Sequence, residues 1–255
     1  MSRVGTLKDT LFIGNRKGTD LYKRIFVVSA FSGITNLLLE HKKSGTPGVY
    51  ARFANSDNDQ GWQTALDTVA AAMKDAHGAV LDHPDDLAAA DDFVTDRIAG
   101  ARSCLLDLQN LCSYGHFRLS DHMLVVRELL SGLGEAHSAF VTTQLLRRSG
   151  INARFVDLSG WREEAEYTLQ ERIAAGLGDV DLSCELPIVT GYAAILGSKF
   201  YGTTTTDGTG TVGATEIANR LLDTARTDTL INYTPQVYGR GEASIWRALA
   251  PDSIN

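Results

Sequence analysis

The chain has 255 residues, 44% hydrophobic and 22% charged, with a formal net charge of −7. This is the composition of an ordinary globular protein, long enough for one α/β domain or two smaller ones. The acidic balance argues against nucleic acid or an anionic membrane as the main partner, but leaves nucleotides open because they need only local positive charge. No apolar run reaches membrane-spanning length, and no signal-peptide core opens the sequence. Cys104, Cys112 and Cys184 lack metal-ligand spacing and leave one thiol unpaired, which points to a reducing cytoplasm.

Residues 7–14 read as a short helix or turn, broken by Gly14 and Gly18. The run Arg24-Ile25-Phe26-Val27-Val28 carries no alternation and is expected to be a parallel strand buried on both faces. It stops at Ser29-Ala30-Phe31-Ser32-Gly33-Ile34-Thr35, a small-residue turn, and a helix is expected from Asn36 onward, ended by Gly45, Pro47 and Gly48. A strand, such a turn and a helix start make an anion site out of free N–H groups and the helix dipole. An ordinary connection capped by Thr35 fits the same residues. Residues 49–53 start another short helix.

From Trp62 to about Cys112 the pattern is helical, divided by Pro84. Asp82, Asp85, Asp86, Asp91 and Asp92 gather at the second helix's start, where carboxylates complement the dipole without any metal. Ser120 and Asp121 are expected to cap a long helix over 122–148, with Val126, Leu129, Leu130, Leu133, Ala136, His137 and Phe140 as its apolar stripe. Gly132 and Gly134 interrupt it at about 1 kcal/mol each, so close approach of a ligand or neighbouring backbone is expected at Gly134-Glu135. A strand over 152–157, a helix over 168–175 and a buried strand over 185–192 follow. A threonine- and glycine-rich loop or hairpin over 203–211, a helix over 215–225 and a strand over 229–233 come next. Alternating strands and helices predict a layered α/β/α domain.

Three stretches taken in order resemble the aspartokinases of the amino acid kinase family. They are Val27-Val28-Ser29-Ala30-Phe31-Ser32-Gly33-Ile34-Thr35-Asn36, then Gly134-Glu135-Ala136-His137-Ser138 with Ser149-Gly150-Ile151-Asn152-Ala153, then Pro187-Ile188-Val189-Thr190-Gly191-Tyr192. Leu37-Leu38-Leu39-Glu40-His41-Lys42-Lys43-Ser44-Gly45 and Tyr114-Gly115-His116-Phe117 are most similar to the branch associated with ectoine biosynthesis. The resemblance implies a three-layer α/β/α sandwich around a mainly parallel sheet, one amino acid kinase domain over 1–255, well matched over 1–193 and divergent over 194–255, with no regulatory domain. It implies L-aspartate and ATP with Mg as substrates and cofactor, and 4-phospho-L-aspartate as product. Thr35 and Glu135 are implied to bind substrate, Glu135 at its α-ammonium. Ser29, Ser32, Gly33 and Thr234 are implied beside the phosphates or nucleotide. A homo-oligomer is compatible with it.

Two departures qualify the activity. Family members open on a strand bearing a Lys-x-Gly-Gly-Thr-Ser pattern whose lysine contacts phosphate; Lys8, Lys17 and Lys23 match no such position, and the sheet is expected to lack that first strand. A family loop of the Arg-Gly-Gly-Ser-Asp kind aligns with Gly208-Thr209-Gly210-Thr211-Val212, which has neither arginine nor acid. The alternative is therefore a catalytically impaired relative that binds nucleotide or aspartate, or pairs with a complete subunit. A kinase for another carboxylate or carbamate is a third reading. A Rossmann dehydrogenase is a poorer one: Gly208, Gly210 and Gly213 have the spacing but follow no apolar strand.

Overall fold

The computed structural model describes residues 8–41, 43–55, 61–163 and 167–191. Three strands, β1 (Phe26–Val28), β2 (Ala153–Val156) and β3 (Leu186–Thr190), pair in parallel in the order β1-β3-β2. Phe26 lies opposite Ile188 and Val28 opposite Thr190, while Ala153 lies opposite Leu186 and Val156 opposite Val189. All five residues of β3 are buried, as expected for the middle strand of a sheet covered on both faces.

Five helices connect β1 to β2: α1 (Ile34–Leu38), α2 (Val49–Ala54), α3 (Gly61–Gly78), α4 (Pro84–Ser113) and α5 (Leu119–Arg148). A sixth, α6 (Leu169–Leu177), connects β2 to β3. On one face of the sheet Phe26, Ala153, Leu186 and Ile188 pack with Ala139 and Leu146 of α5. On the other, Val156, Leu158 and Val189 pack with Leu177 of α6. Gly176 lets α6 settle there, because a Cβ would come within 2.6 Å of Leu158 Cδ2. Helix, sheet and helix thus form the three layers expected from the sequence. No helix among the described residues is long and apolar enough to cross a membrane, and the three cysteines are free thiols.

Helix α5 is the shared pillar. Its sheet-facing side closes the smaller core, and Val126, Leu130 and Leu133 join the larger core formed with α1 to α4. Burial around its centre runs through Gly132–Gly134, Ala136–Ala139 and Val141–Thr143, well beyond a single stripe. A helix enclosed on several sides needs small or apolar residues all round, which explains the short residues there.

Several local expectations change. Val27 is 55% exposed, so β1 is not buried on both faces. Successive strand residues point to opposite faces, and the apolar cluster on Val27's face centres on Val156, Leu158 and Val189 without including it. Among the described residues β1 pairs along one edge only. Helix α1 spans five residues and is capped by Gly33 at φ +89°, with no side-chain cap; Thr35 lies inside its first turn. It ends early because the chain folds back over it. Glu40 bridges Pro47, the Gly48 N–H donates to the Leu39 carbonyl at 3.0 Å, and a Cβ on Gly48 would lie 2.4 Å from the Leu37 carbonyl oxygen. Helix α5 begins three residues early, with Arg118 at the cap position, so Ser120 and Asp121 sit in its first turn. The acidic start of α4 finds side-chain partners. Asp86 accepts two hydrogen bonds of 2.8 Å from Arg148, and Asp91 meets His77 and Lys74 at 3.3 and 3.4 Å. The elements expected beyond Gly191, with Thr234, lie outside the described residues.

Candidate functional site

In open parallel sheets the ligand crevice lies at the carboxyl ends of the strands, where connecting loops diverge. Here three chain segments meet there: the turn after β1, the end of β3 at Thr190 and Gly191, and the turn after β2 at Asp157. Helix α5 crosses beneath the first two.

Contact between α5 and the β1 turn is specified residue by residue. A Cβ on Gly134 would lie 2.9 Å from Ala30 Cβ and 3.2 Å from both Ile34 Cγ2 and Leu38 Cδ1. Its absence lets the turn and α1 press onto the helix, so a neighbouring segment, as the sequence allowed, explains this costly glycine. One turn further, the buried Ser138 hydroxyl donates to the carbonyl of Ser29 at 2.8 Å and to that of Glu135 at 3.0 Å. Between them Glu135 extends its carboxylate to the β1–β3 junction. A Cβ on Gly191 would meet Glu135 Oε2 at 2.9 Å and the Val28 carbonyl oxygen at 3.2 Å, and the Gly191 N–H donates to that Val28 carbonyl at 3.0 Å. Only a glycine fits between the carboxylate and β1 without a shift.

Of the residues singled out from sequence, Ser29, Ser32, Gly33 and Thr35 all lie exposed on the β1 turn or the first turn of α1. Glu135, half-buried, reaches the end of β3 at Gly191, beside the Val28 carbonyl that leads into this turn. The structure brings these five into one region; Thr234 is outside the described residues. The α1 dipole adds little, since the helix has five residues, and the Ile34 N–H is already taken by the Phe31 carbonyl at 3.1 Å. What remains is a carboxylate beside hydroxyls and a glycine turn, groups suited to an ammonium and to the oxygens of a small polar ligand. Among the described residues no group of three or more His, Cys, Asp or Glu side chains is arranged to hold a metal.

The turn after β2 is built differently. Asp157 accepts from Arg97 of α4 at 2.5 Å and from the Ser159 N–H at 2.8 Å. The Arg97 guanidinium lies 4.7 Å from the ring centres of both Phe93 and Trp161. The Leu158 N–H donates to Thr190 Oγ1 at 2.9 Å, tying this turn to the end of β3. A Cβ on Gly100 would come within 2.6 Å of the Trp161 ring, so this mid-helix glycine seats the indole.

Behind the β1 turn lie two buried histidines, linked to half-exposed Asp91, that the sequence did not reveal. His137 Nε2 and His77 Nδ1 are 3.1 Å apart, and His77 Nε2 is 3.3 Å from Asp91 Oδ1. The His137 ring stands edge-on to Phe31, centroids 5.4 Å apart. Burial, reinforced by the neighbouring His77, pushes His137 down to about 3. Burial also lowers His77, against the opposing pull of Asp91.

Comparison with known proteins adds one relative. The aspartate kinase Ask_Ect of Stutzerimonas stutzeri (strain A1501) is 48% identical to this chain over 192 residues, which cover 75% of this chain and 40% of that kinase. The chain therefore spans well under two thirds of the curated relative it matches. No protein-family model matches it, and no solved structure does.

Proposed function

We propose, since the chain belongs to the aspartokinase family, that it transfers the γ-phosphoryl group of ATP to the side-chain carboxylate of L-aspartate. The product is 4-phospho-L-aspartate, and residues 1–255 act as one amino acid kinase domain. The observation that carries this reading is the Glu135 carboxylate at the β1–β3 junction, seated by Gly134, Gly191 and Ser138 against the turn that bears Ser29 and Thr35.

The chemistry asks little of a proton shuttle. An aspartate side chain, with an ordinary pKa of about 3.9, is ionised at neutral pH and attacks phosphorus directly. One carboxylate oxygen forms the new P–O bond while the bond to the ADP oxygen breaks. Catalysis is then positioning and charge neutralisation. Glu135 holds the α-ammonium and Thr35 contacts the amino acid, so the side-chain carboxylate points along the turn. Ser29, Ser32 and Gly33 border the transferred phosphate; Gly33 gives close backbone access because nothing stands within 4 Å of where its Cβ would be. Thr234 belongs to the nucleotide side. Hydroxyls and backbone N–H groups suit phosphate oxygens, and Mg²⁺, carried by the nucleotide phosphates, neutralises charge during transfer. ATP as donor fits a cytoplasmic setting.

The test is the purified chain with ATP, Mg²⁺, L-aspartate and hydroxylamine. Aspartyl hydroxamate is expected, and its absence at high enzyme concentration contradicts catalysis. A second reading, a relative that binds without turnover, is favoured by one observation: the segment aligned with the arginine loop, 208–212, has no arginine. Calorimetric binding of aspartate or nucleotide without hydroxamate would select it.

A further inference from the structure

We propose that His137 is a positioning residue: with His77 and Asp91 it forms a directed hydrogen-bond chain that fixes Phe31, and so holds the β1 turn in its aspartate-binding conformation. This rests on the reading of the β1 turn and Glu135 as the aspartate site, and goes beyond it by assigning work to groups that touch no substrate.

The direction of the chain follows from chemistry. A carboxylate accepts, so the His77 Nε2–H donates to Asp91 Oδ1 at 3.3 Å. A neutral imidazole carries one N–H, so His77 Nδ1 is bare and accepts from His137 Nε2 at 3.1 Å. His137 Nδ1 is then unprotonated, and it has no hydrogen-bond partner among the described residues. Each ring is thereby fixed in tautomer and rotation. Apolar residues of similar size would fill the space without specifying orientation, whereas the contact between the two ring nitrogens selects one arrangement of the imidazoles.

The position of His137 makes that arrangement matter. It lies two residues beyond Glu135 and three beyond Gly134 on α5, 1% exposed, with its ring against Phe31. Phe31 is the turn's one aromatic side chain, 8% exposed, between exposed Ser29 and Thr35. Its burial is what attaches the middle of the turn to the protein. The other two anchors act at its ends: Ser138 on the Ser29 carbonyl, and Gly134 against Ala30 and Ile34. The chain also spans elements far apart in sequence, since His77 closes α3, Asp91 lies near the start of α4 and His137 is central in α5. It therefore fixes the turn relative to the helical core rather than to the sheet alone.

The test compares the whole chain with His137→Leu, which keeps bulk but donates nothing, and His137→Gln, whose amide nitrogen reaches the same place as Nε2. Aspartate and ATP binding are measured by calorimetry, and backbone amide exchange over 29–36 is measured without ligand. His137→Leu is expected to weaken aspartate binding roughly tenfold and to speed exchange in the turn, with ATP affinity changed less than twofold. His137→Gln is expected to restore most of both. Unchanged turn exchange in His137→Leu, or equal losses for aspartate and ATP, overturns the proposal. So does a His137→Gln variant no better than His137→Leu at equal thermal stability. If the unmodified chain binds ATP but no aspartate, the underlying site reading fails, and the positioning role falls with it.

Discussion

The turns after β1 and β2 occupy equivalent places at the carboxyl ends of two strands that flank β3, yet they are put together in opposite ways. After β2 the polar groups are consumed internally: Asp157 binds Arg97, Arg97 is held between Phe93 and Trp161, and Leu158 binds Thr190. After β1 the anchoring groups lie underneath, in Phe31, Gly134 and Ser138, while Ser29, Ser32, Gly33 and Thr35 remain exposed. A wall whose charges are paired offers structure; a turn held from behind offers functional groups to a ligand. The difference explains why two carboxylates a strand apart, Asp157 and Glu135, are assigned different work.

Substitutions should separate the two regions. Arg97→Ala leaves the half-buried Asp157 without its cation and opens a gap between two rings, so about 3 kcal/mol of stability should be lost. Aspartate affinity in the remaining folded protein should stay within twofold; denaturant unfolding and calorimetry check the pair. Gly134→Ala should act on the other region. A Cβ 2.9 Å from Ala30 must displace the turn, costing about 1–3 kcal/mol and weakening aspartate binding as well.

Acid should probe the buried histidines behind the β1 turn. His137 titrates at about 3 in the folded protein, below its ordinary 6.5. The unfolded chain therefore takes up the proton first. Stability contributed by the neutral ring is complete above pH 6.5 and declines as pH falls from there toward 3. Chemical unfolding across that window should show a shallower decline in His137→Gln, which cannot titrate. The smallest effect lies away from both turns. Thr168 caps α6 through the Glu171 N–H, and Glu171 returns a bond to the Thr168 N–H. Thr168→Ala should cost about 1 kcal/mol in thermal unfolding and leave ligand binding alone.

What the sequence disclosed was local. The unalternating run through Val27 and Val28, the small residues after it and the poorly helical Gly134 beside Glu135 are each readable within a few positions, and they located the strand, the turn and α5. Contacts joining distant positions were not readable. His77 and His137 are sixty residues apart, as are Arg97 and Asp157, and neither pair has a spacing signal. Gly100 gives no sign within its own helix of the Trp161 ring that fills the space beside it. Thr35 fits a capping pattern as well as Gly33 does, and backbone φ alone decided between them. The exposure of Val27 depends on which cluster covers which part of the sheet, a property of packing rather than of pattern.

The proposed aspartate site stands or falls with the Glu135 carboxylate receiving the ligand's ammonium at the β1–β3 junction. Titrating L-aspartate into the chain and into Glu135→Gln tests it most directly, with thermal unfolding measured on both. Removing the charge while keeping the shape should weaken binding by roughly a hundredfold, the loss of about 3 kcal/mol for a charge-assisted pair, with little change in unfolding temperature. Equal aspartate affinity in the two proteins would contradict the account.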